Sequence, residues 1–112
     1  MLLVRTKLVS SKIAGIGLFA DEFISRGTYI WRFKKGFDIR VNKKYPSTLK
    51  EPAKSFFRTY AYQIPKTLNY VLCADNGRFL NHSDTPNTKS IEDPEDEDTI
   101  IIADRDIRGG KR

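Results

Sequence analysis

Arg78-Phe79-Leu80-Asn81-His82-Ser83-Asp84-Thr85-Pro86-Asn87 is the densest polar cluster in the chain, and its reading decides the fold. The Asn, His, Ser and Asp side chains supply many donors and acceptors, and Pro86 fixes the local backbone. Flanked by apolar Phe79 and Leu80, such a segment can line a polar ligand pocket. On residue type alone it also suits an ordinary Asx-rich turn. Two catalytic readings fail here. Ser83 adjoins His82, but sequence neighbours point in different directions, and no orienting acid or oxyanion hole is visible. His82 with Asp84 gives two metal ligands, which is too few. Cys73 is the sole cysteine, so no internal disulfide forms, and one Cys with one His falls short of a four-ligand zinc site. A structural, hydrogen-bonded His82 stands as the alternative.

Outward from this cluster, Tyr70-Val71-Leu72-Cys73-Ala74 reads as a short strand turned by Asp75-Asn76-Gly77. Upstream, Glu51–Ala61 reads as a helix. Ala53, Phe56, Phe57, Tyr60 and Ala61 fall at i, i+3, i+4, i+7 and i+8, and Pro52 suits a first turn. Pro65 helps to end that element. Lys34–Lys44, basic and broken by Gly36, reads mostly as loop. Thr28–Phe33 and Leu2–Val9 read as strands, with a turn at Ile24–Gly27. Between them, Ala14-Gly15-Ile16-Gly17-Leu18-Phe19-Ala20 alternates glycine with apolar residues, as a tight turn or a close approach to a ligand requires. Downstream, Thr88–Ile91 and Thr99–Ala103 predict a hairpin. Its loop, Glu92-Asp93-Pro94-Glu95-Asp96-Glu97-Asp98, is expected to be solvated and mobile.

The chain also echoes itself. Ala20-Asp21-Glu22-Phe23-Ile24-Ser25-Arg26-Gly27 matches Ala103-Asp104-Arg105-Asp106-Ile107-Arg108-Gly109-Gly110 at Ala, Asp, Ile and Gly. The first copy opens into the Thr28–Phe33 strand, so a further strand is expected after the second. Two copies do not make a repeat protein.

Three segments together resemble the SET-domain family of S-adenosylmethionine-dependent protein-lysine methyltransferases. Gly15-Ile16-Gly17-Leu18-Phe19-Ala20 looks like the family's opening motif. Arg78-Phe79-Leu80-Asn81-His82-Ser83 with Pro86-Asn87 looks like its central motif. Ile102-Ala103-Asp104-Arg105-Asp106-Ile107 looks like the strand before its final motif. The resemblance implies a mostly β fold of the SET, β-clip-like kind: several short strands in small sheets and one short helix near 51–61. It implies S-adenosylmethionine as cofactor, with the backbone at Ile16, Gly17 and Leu18 near its methionine part. Asn81 would bond that part, the His82 backbone would meet the adenine, and Arg78 would join them in the cofactor site. A substrate lysine would enter from the opposite face, with Tyr70 as a candidate channel wall or, equally, a strand core residue. The family often has Cys where Asp84 stands here, so no zinc is implied. After Gly109 the family continues through an acidic-Leu-Thr segment to a catalytic tyrosine. Here the sequence reads Gly110-Lys111-Arg112, so residues 1–112 are expected to be a single, C-terminally incomplete SET domain without the threading tail or a catalytic residue. A longer natural chain, a shortened inactive homologue, and a homodimer whose partner completes the fold all fit that expectation.

Bulk properties set the partners. The 112 residues are 39% hydrophobic and 30% charged, with room for one core. No apolar run approaches ~20 residues, so no membrane is expected, and the N-terminus lacks signal-peptide order, so a cytoplasmic, intracellular protein is expected. The net charge of +6 is uneven: residues 1–58 hold thirteen Lys/Arg against four Asp/Glu, and residues 59–112 hold seven against ten. A basic half attracts anionic partners or merely solubilises. Without an aromatic-and-basic stacking platform, nucleic acid ranks below a protein lysine substrate as the partner. Residues 92–98 are the candidate for attracting a basic substrate tail, with simple solubilisation as the alternative. A non-catalytic interaction module that keeps the fold is the competing function.

Overall fold

A computed structural model describes residues 1–11, 15–79 and 87–109, and all structural statements refer to these. The elements run β1 (Thr6–Ser11), β2 (Gly15–Ala20), β3 (Tyr29–Trp31), β4 (Ile39–Val41), a 3-10 turn Tyr45–Thr48, α1 (Ala53–Tyr60), β5 (Tyr62–Gln63), β6 (Tyr70–Leu72), a 3-10 turn Asn76–Phe79, β7 (Thr88–Glu92) and β8 (Thr99–Ala103). They make three small antiparallel sheets in the orders β1-β2, β3-β8-β7 and β4-β6-β5.

Two apolar clusters hold the sheets together. Ala20, Ile24, Ile30, Ala103 and Ile107 form one; Trp31, Ile64, Val71 and Cys73 form the other. Leu2 and Ile101 pack against both and join them. Trp31 is 1% exposed and meets Tyr62 edge to face at 6.1 Å. A ring of that size buries more apolar surface than any aliphatic side chain of the cluster.

The first cluster is built from the internal echo. Ile24 and Ile107 exchange backbone hydrogen bonds, and the Gly27 N–H donates to the Ala103 carbonyl at 2.8 Å. The Ala103 N–H donates to Thr28 at 2.9 Å, and the Arg26 N–H to Asp106 Oδ1 at 2.8 Å. The two copies therefore pair with each other. Gly27 sits at φ +89°, a conformation that glycine adopts without strain.

Against the expectations from sequence, the structure adds two short strands and moves the bounds of two elements. Lys34–Lys44 is mostly loop, but its Ile39–Val41 forms β4, paired residue for residue with Leu72–Tyr70. Tyr62–Gln63 is a further strand, pairing with β6 before Pro65. The helix is shorter than its apolar stripe, and of that stripe only Phe57 is buried, while Phe56 stays 45% exposed. The expected first strand starts later, at Thr6, and Leu2 makes a single bridge to Trp31.

The acidic loop is also not free. Arg32 grips Asp93 with two bonds of 2.8 Å and reaches Glu95 at 3.2 Å. Arg40 reaches Asp96 at 2.6 Å and Glu97 at 3.3 Å, with its guanidinium 3.8 Å from the Phe33 ring centre. Glu97 also accepts from Thr67 and Asn69, and Asp98 accepts from the Tyr62 hydroxyl. Charges that look unbalanced along the chain are thus partly neutralised within the fold. The loop braces the sheets.

Candidate cofactor site

The opening motif lies on β2, whose register against β1 sets Gly17 opposite Val9 and Leu18 opposite Leu8. Gly17 is buried and Leu18 half-buried. Strand β2 lies against the turn Asn76–Phe79, which carries Arg78. The topology thus brings together the strand that carries Gly17 and Leu18 and the turn that carries Arg78, which are distant in sequence. Leu18 also borders a small cavity of about 60 Å³, whose lining includes Ala20, Ile24, Ile107 and Asn87.

The turn holding Arg78 has a specific cause. Asp75 Oδ1 accepts from the Gly77 N–H at 2.9 Å, and its Oδ2 accepts from the Leu2 N–H at 2.7 Å. An Asp two residues before the accepted N–H is a standard turn former. Gly77 is required because a Cβ there would come within 2.9 Å of Trp31 Cδ1. The turn is therefore pressed onto the buried indole.

Arg78 sits among aromatic rings. Its guanidinium carbon lies 5.3 Å from the centres of Tyr60 and Phe79 and 5.7 Å from Phe56. These rings touch one another, with Tyr60–Phe79 at 5.7 Å and Phe56–Tyr60 at 4.9 Å. Cations within about 6 Å of a ring face are attracted to it. The Arg78 Nε is buried and has no hydrogen-bond partner among the described residues. The sequence reading missed Phe56 and Tyr60 as neighbours of this arginine. Their stripe had an ordinary meaning as helix core, and no local signal ties the helix to residue 78.

Of the other expected site residues, Ile16 lies on β2, opposite Ser10. Asn81 and His82 lie outside the described residues. Tyr70 is on β6, half-buried, with its ring centre 5.7 Å from that of Phe57 in an edge-to-face arrangement, so its observed contact is a packing one.

Three further titratable groups, on Asp98, Tyr62 and Cys73, lie in or against the core. The Asp98 carboxyl, 2% exposed, is pushed upward in pKa by burial, against the opposing hydrogen bond from Tyr62. Burial, then the bond to Asp98, raises the Tyr62 phenol, so it stays protonated. Burial also pushes the Cys73 thiol up to about 12, which leaves it unreactive at neutral pH.

With this geometry in hand, the chain is placed by comparison: it belongs to the SET domain family, whose model matches residues 15–111. Solved structures share the fold. A Plasmodium falciparum protein described as a candidate histone methyltransferase is 19% identical, with a TM-score of 0.58 over 96% of this chain and 87% of that one. The Neurospora SET domain protein DIM-5, a histone lysine methyltransferase, is 18% identical, with a TM-score of 0.65 over 98% of this chain and 50% of that one. A humanized mutant of the Chaetomium thermophilum Polycomb Repressive Complex 2, bound to an inhibitor, gives 18% identity and a TM-score of 0.66, over 96% of this chain and 14% of that one. This chain spans half or less of the last two. No match is found among the curated protein sequences.

Proposed function

We propose that this SET domain is of the protein-lysine N-methyltransferase type and uses S-adenosylmethionine. The observation that carries the reading is the contact between β2, with Gly17 and Leu18, and the turn that carries Arg78. The residues present suit the cofactor. The unpartnered Arg78 Nε–H is a donor for a carboxylate, and the rings around it offer apolar faces. Ile16, Gly17 and Leu18 would line the methionine side, with Arg78, Asn81 and the His82 backbone completing the site.

When bound, the cofactor supplies a methyl group activated on a sulfonium. What the protein must do is align an amine in line with that methyl, and positioning accounts for most of the gain. It must also present the lysine uncharged, against an ordinary pKa of ~10.4, by excluding water around the amine. The family places an aromatic hydroxyl after the position of Gly109, and none of the tyrosines in residues 1–112 stands in that motif. An intracellular protein substrate is part of the same proposal.

The direct test is methyl transfer from S-adenosylmethionine to lysine-bearing peptides, read by mass spectrometry, with Asn81→Ala for comparison. Methylated lysine that disappears in the variant is expected. No product at concentrations where S-adenosylmethionine binds contradicts the enzyme reading and leaves a cofactor-binding interaction module.

A further inference from the structure

Helix α1 and strand β4 enclose an apolar cleft of about 250 Å³, lined by residues that include Ile39, Val41, Tyr45, Leu49, Phe56 and Leu72. Its mouth stays in water, with Ile39 52%, Tyr45 44% and Phe56 45% exposed. Large apolar side chains left in water side by side mark an interaction surface. The cleft is smaller than the roughly 300–1,000 Å³ of small-molecule sites, and no carboxylate, lysine, arginine or histidine lines it. It suits the anchoring side chains of a peptide better than a cofactor.

The rim is basic. Residues 41–58 carry Lys43, Lys44, Lys50, Lys54 and Arg58 against Glu51 alone. Lys44, Lys50 and Lys54 directly follow or precede the lining residues Tyr45, Leu49 and Ala53 in the chain. None of these five cations takes part in an ion pair among the described residues, where the pairs fall on Met1, Arg32, Arg40 and Lys89. The chain's own acidic run is not available to them, because Asp93, Glu95, Asp96 and Glu97 are held by Arg32 and Arg40. Among the described residues, a second copy of this chain thus offers no acidic run free of its own arginines.

We propose that this cleft docks an acidic, amphipathic segment of another protein, with apolar side chains in the cleft and carboxylates against the lysines. Helices that lay an apolar face into a groove are recognised in this way, and rim charges choose between partners. The same lysines repel a lysine-rich tail, so the occupant is a partner protein and not the methyl acceptor. The cleft shares Phe56 with the rings around Arg78, and the variants used to test it leave Phe56 and Arg78 unchanged, so its failure is distinguishable from failure of the cofactor site.

The test is fluorescence anisotropy of the whole chain with a labelled peptide about 11 residues long, three turns of helix. Its Leu and Phe lie on one face and its Asp and Glu on the other. A second peptide replaces Leu and Phe by Ser at the same charge, and a labelled single-stranded DNA is the third probe. Two double variants are compared, Lys44→Glu with Lys50→Glu and Ile39→Ser with Tyr45→Ser, all at exposed positions and checked for native circular dichroism. The amphipathic peptide is expected to bind, and to bind roughly tenfold more weakly to each double variant. Equal binding of the Ser peptide, DNA binding indifferent to the Ile39 and Tyr45 changes, or no peptide binding overturns the proposal.

Discussion

Ile24 and Ile107 exchange both of their backbone hydrogen bonds, each at 2.8 Å, and bury their side chains in the same cluster. They stand at equivalent positions of the internal echo, so the motif that repeats in sequence meets itself in space. Because the two segments lie far apart in sequence, this contact is a long-range one that closes the first apolar cluster. Late long-range closure of this kind raises contact order and slows folding.

Truncation at either isoleucine is therefore expected to be costly. Ile24→Ala and Ile107→Ala should each lower stability by about 2–5 kcal/mol, from lost burial and the cavity left behind. The double variant should lose less than the sum, because the side chains share one cluster. Urea unfolding followed by circular dichroism measures all three.

Gly77→Ala should be destabilising without any loss of polar contact. The new Cβ would lie 2.9 Å from Trp31 Cδ1 and 3.0 Å from Nε1, so either the turn or the indole must move. An overpacked site of this kind costs about 1–3 kcal/mol. Trp31 is the only tryptophan, so its fluorescence reports the displacement directly.

Arg40→Ala should release the acidic loop. The side chain holds Asp96 and Glu97 and covers Phe33, and it is 22% exposed. A loss of about 1–3 kcal/mol is expected from the broken charged hydrogen bonds and stem packing. Hydrogen exchange at residues 93–98 should quicken while the pairing of β1 with β2 keeps its protection.

The loop also gives two opposite pH effects. Arg32 holds the Asp93 carboxyl below its ordinary 3.8. Its contribution is present above that value and is lost as pH falls through the lower folded-state value. Burial holds Asp98 above its ordinary value, so its contribution is present at low pH and is lost as pH rises through the folded-state value. Asp93→Asn should flatten the acid limb of the stability–pH curve, and Asp98→Asn should remove the loss on the rising side. Thermal melts in buffers across the acid range separate the two.

Much of this fold is legible in sequence where local chemistry and tertiary contact agree. Thr99–Ala103 is rich in β-branched residues and faces β7 as the pattern predicts. The helix was visible from its stripe, although Phe56 turned out to face water and a cleft. Ile39-Arg40-Val41 was not legible, because three residues between polar Asp38 and Asn42 become a strand only through pairing with Leu72–Tyr70. The acidic run looked solvated because its partners Arg32, Arg40, Tyr62, Thr67 and Asn69 lie far away in sequence. In the site, Gly17 and Arg78 were readable one by one as parts of separate motifs. That Arg78 is wrapped by Phe56, Tyr60 and Phe79 depends on how α1 docks, which no spacing rule contains.

The central claim is that β2 and the Arg78 segment form a cofactor site. It is tested most directly by isothermal titration of the chain with S-adenosylmethionine, repeated on Asn81→Ala and Arg78→Met. Micromolar binding that weakens roughly tenfold or more in each variant is predicted, as expected for loss of a hydrogen bond to a charged ligand. Binding unchanged in both variants, or no binding to the unaltered chain, would contradict the assignment.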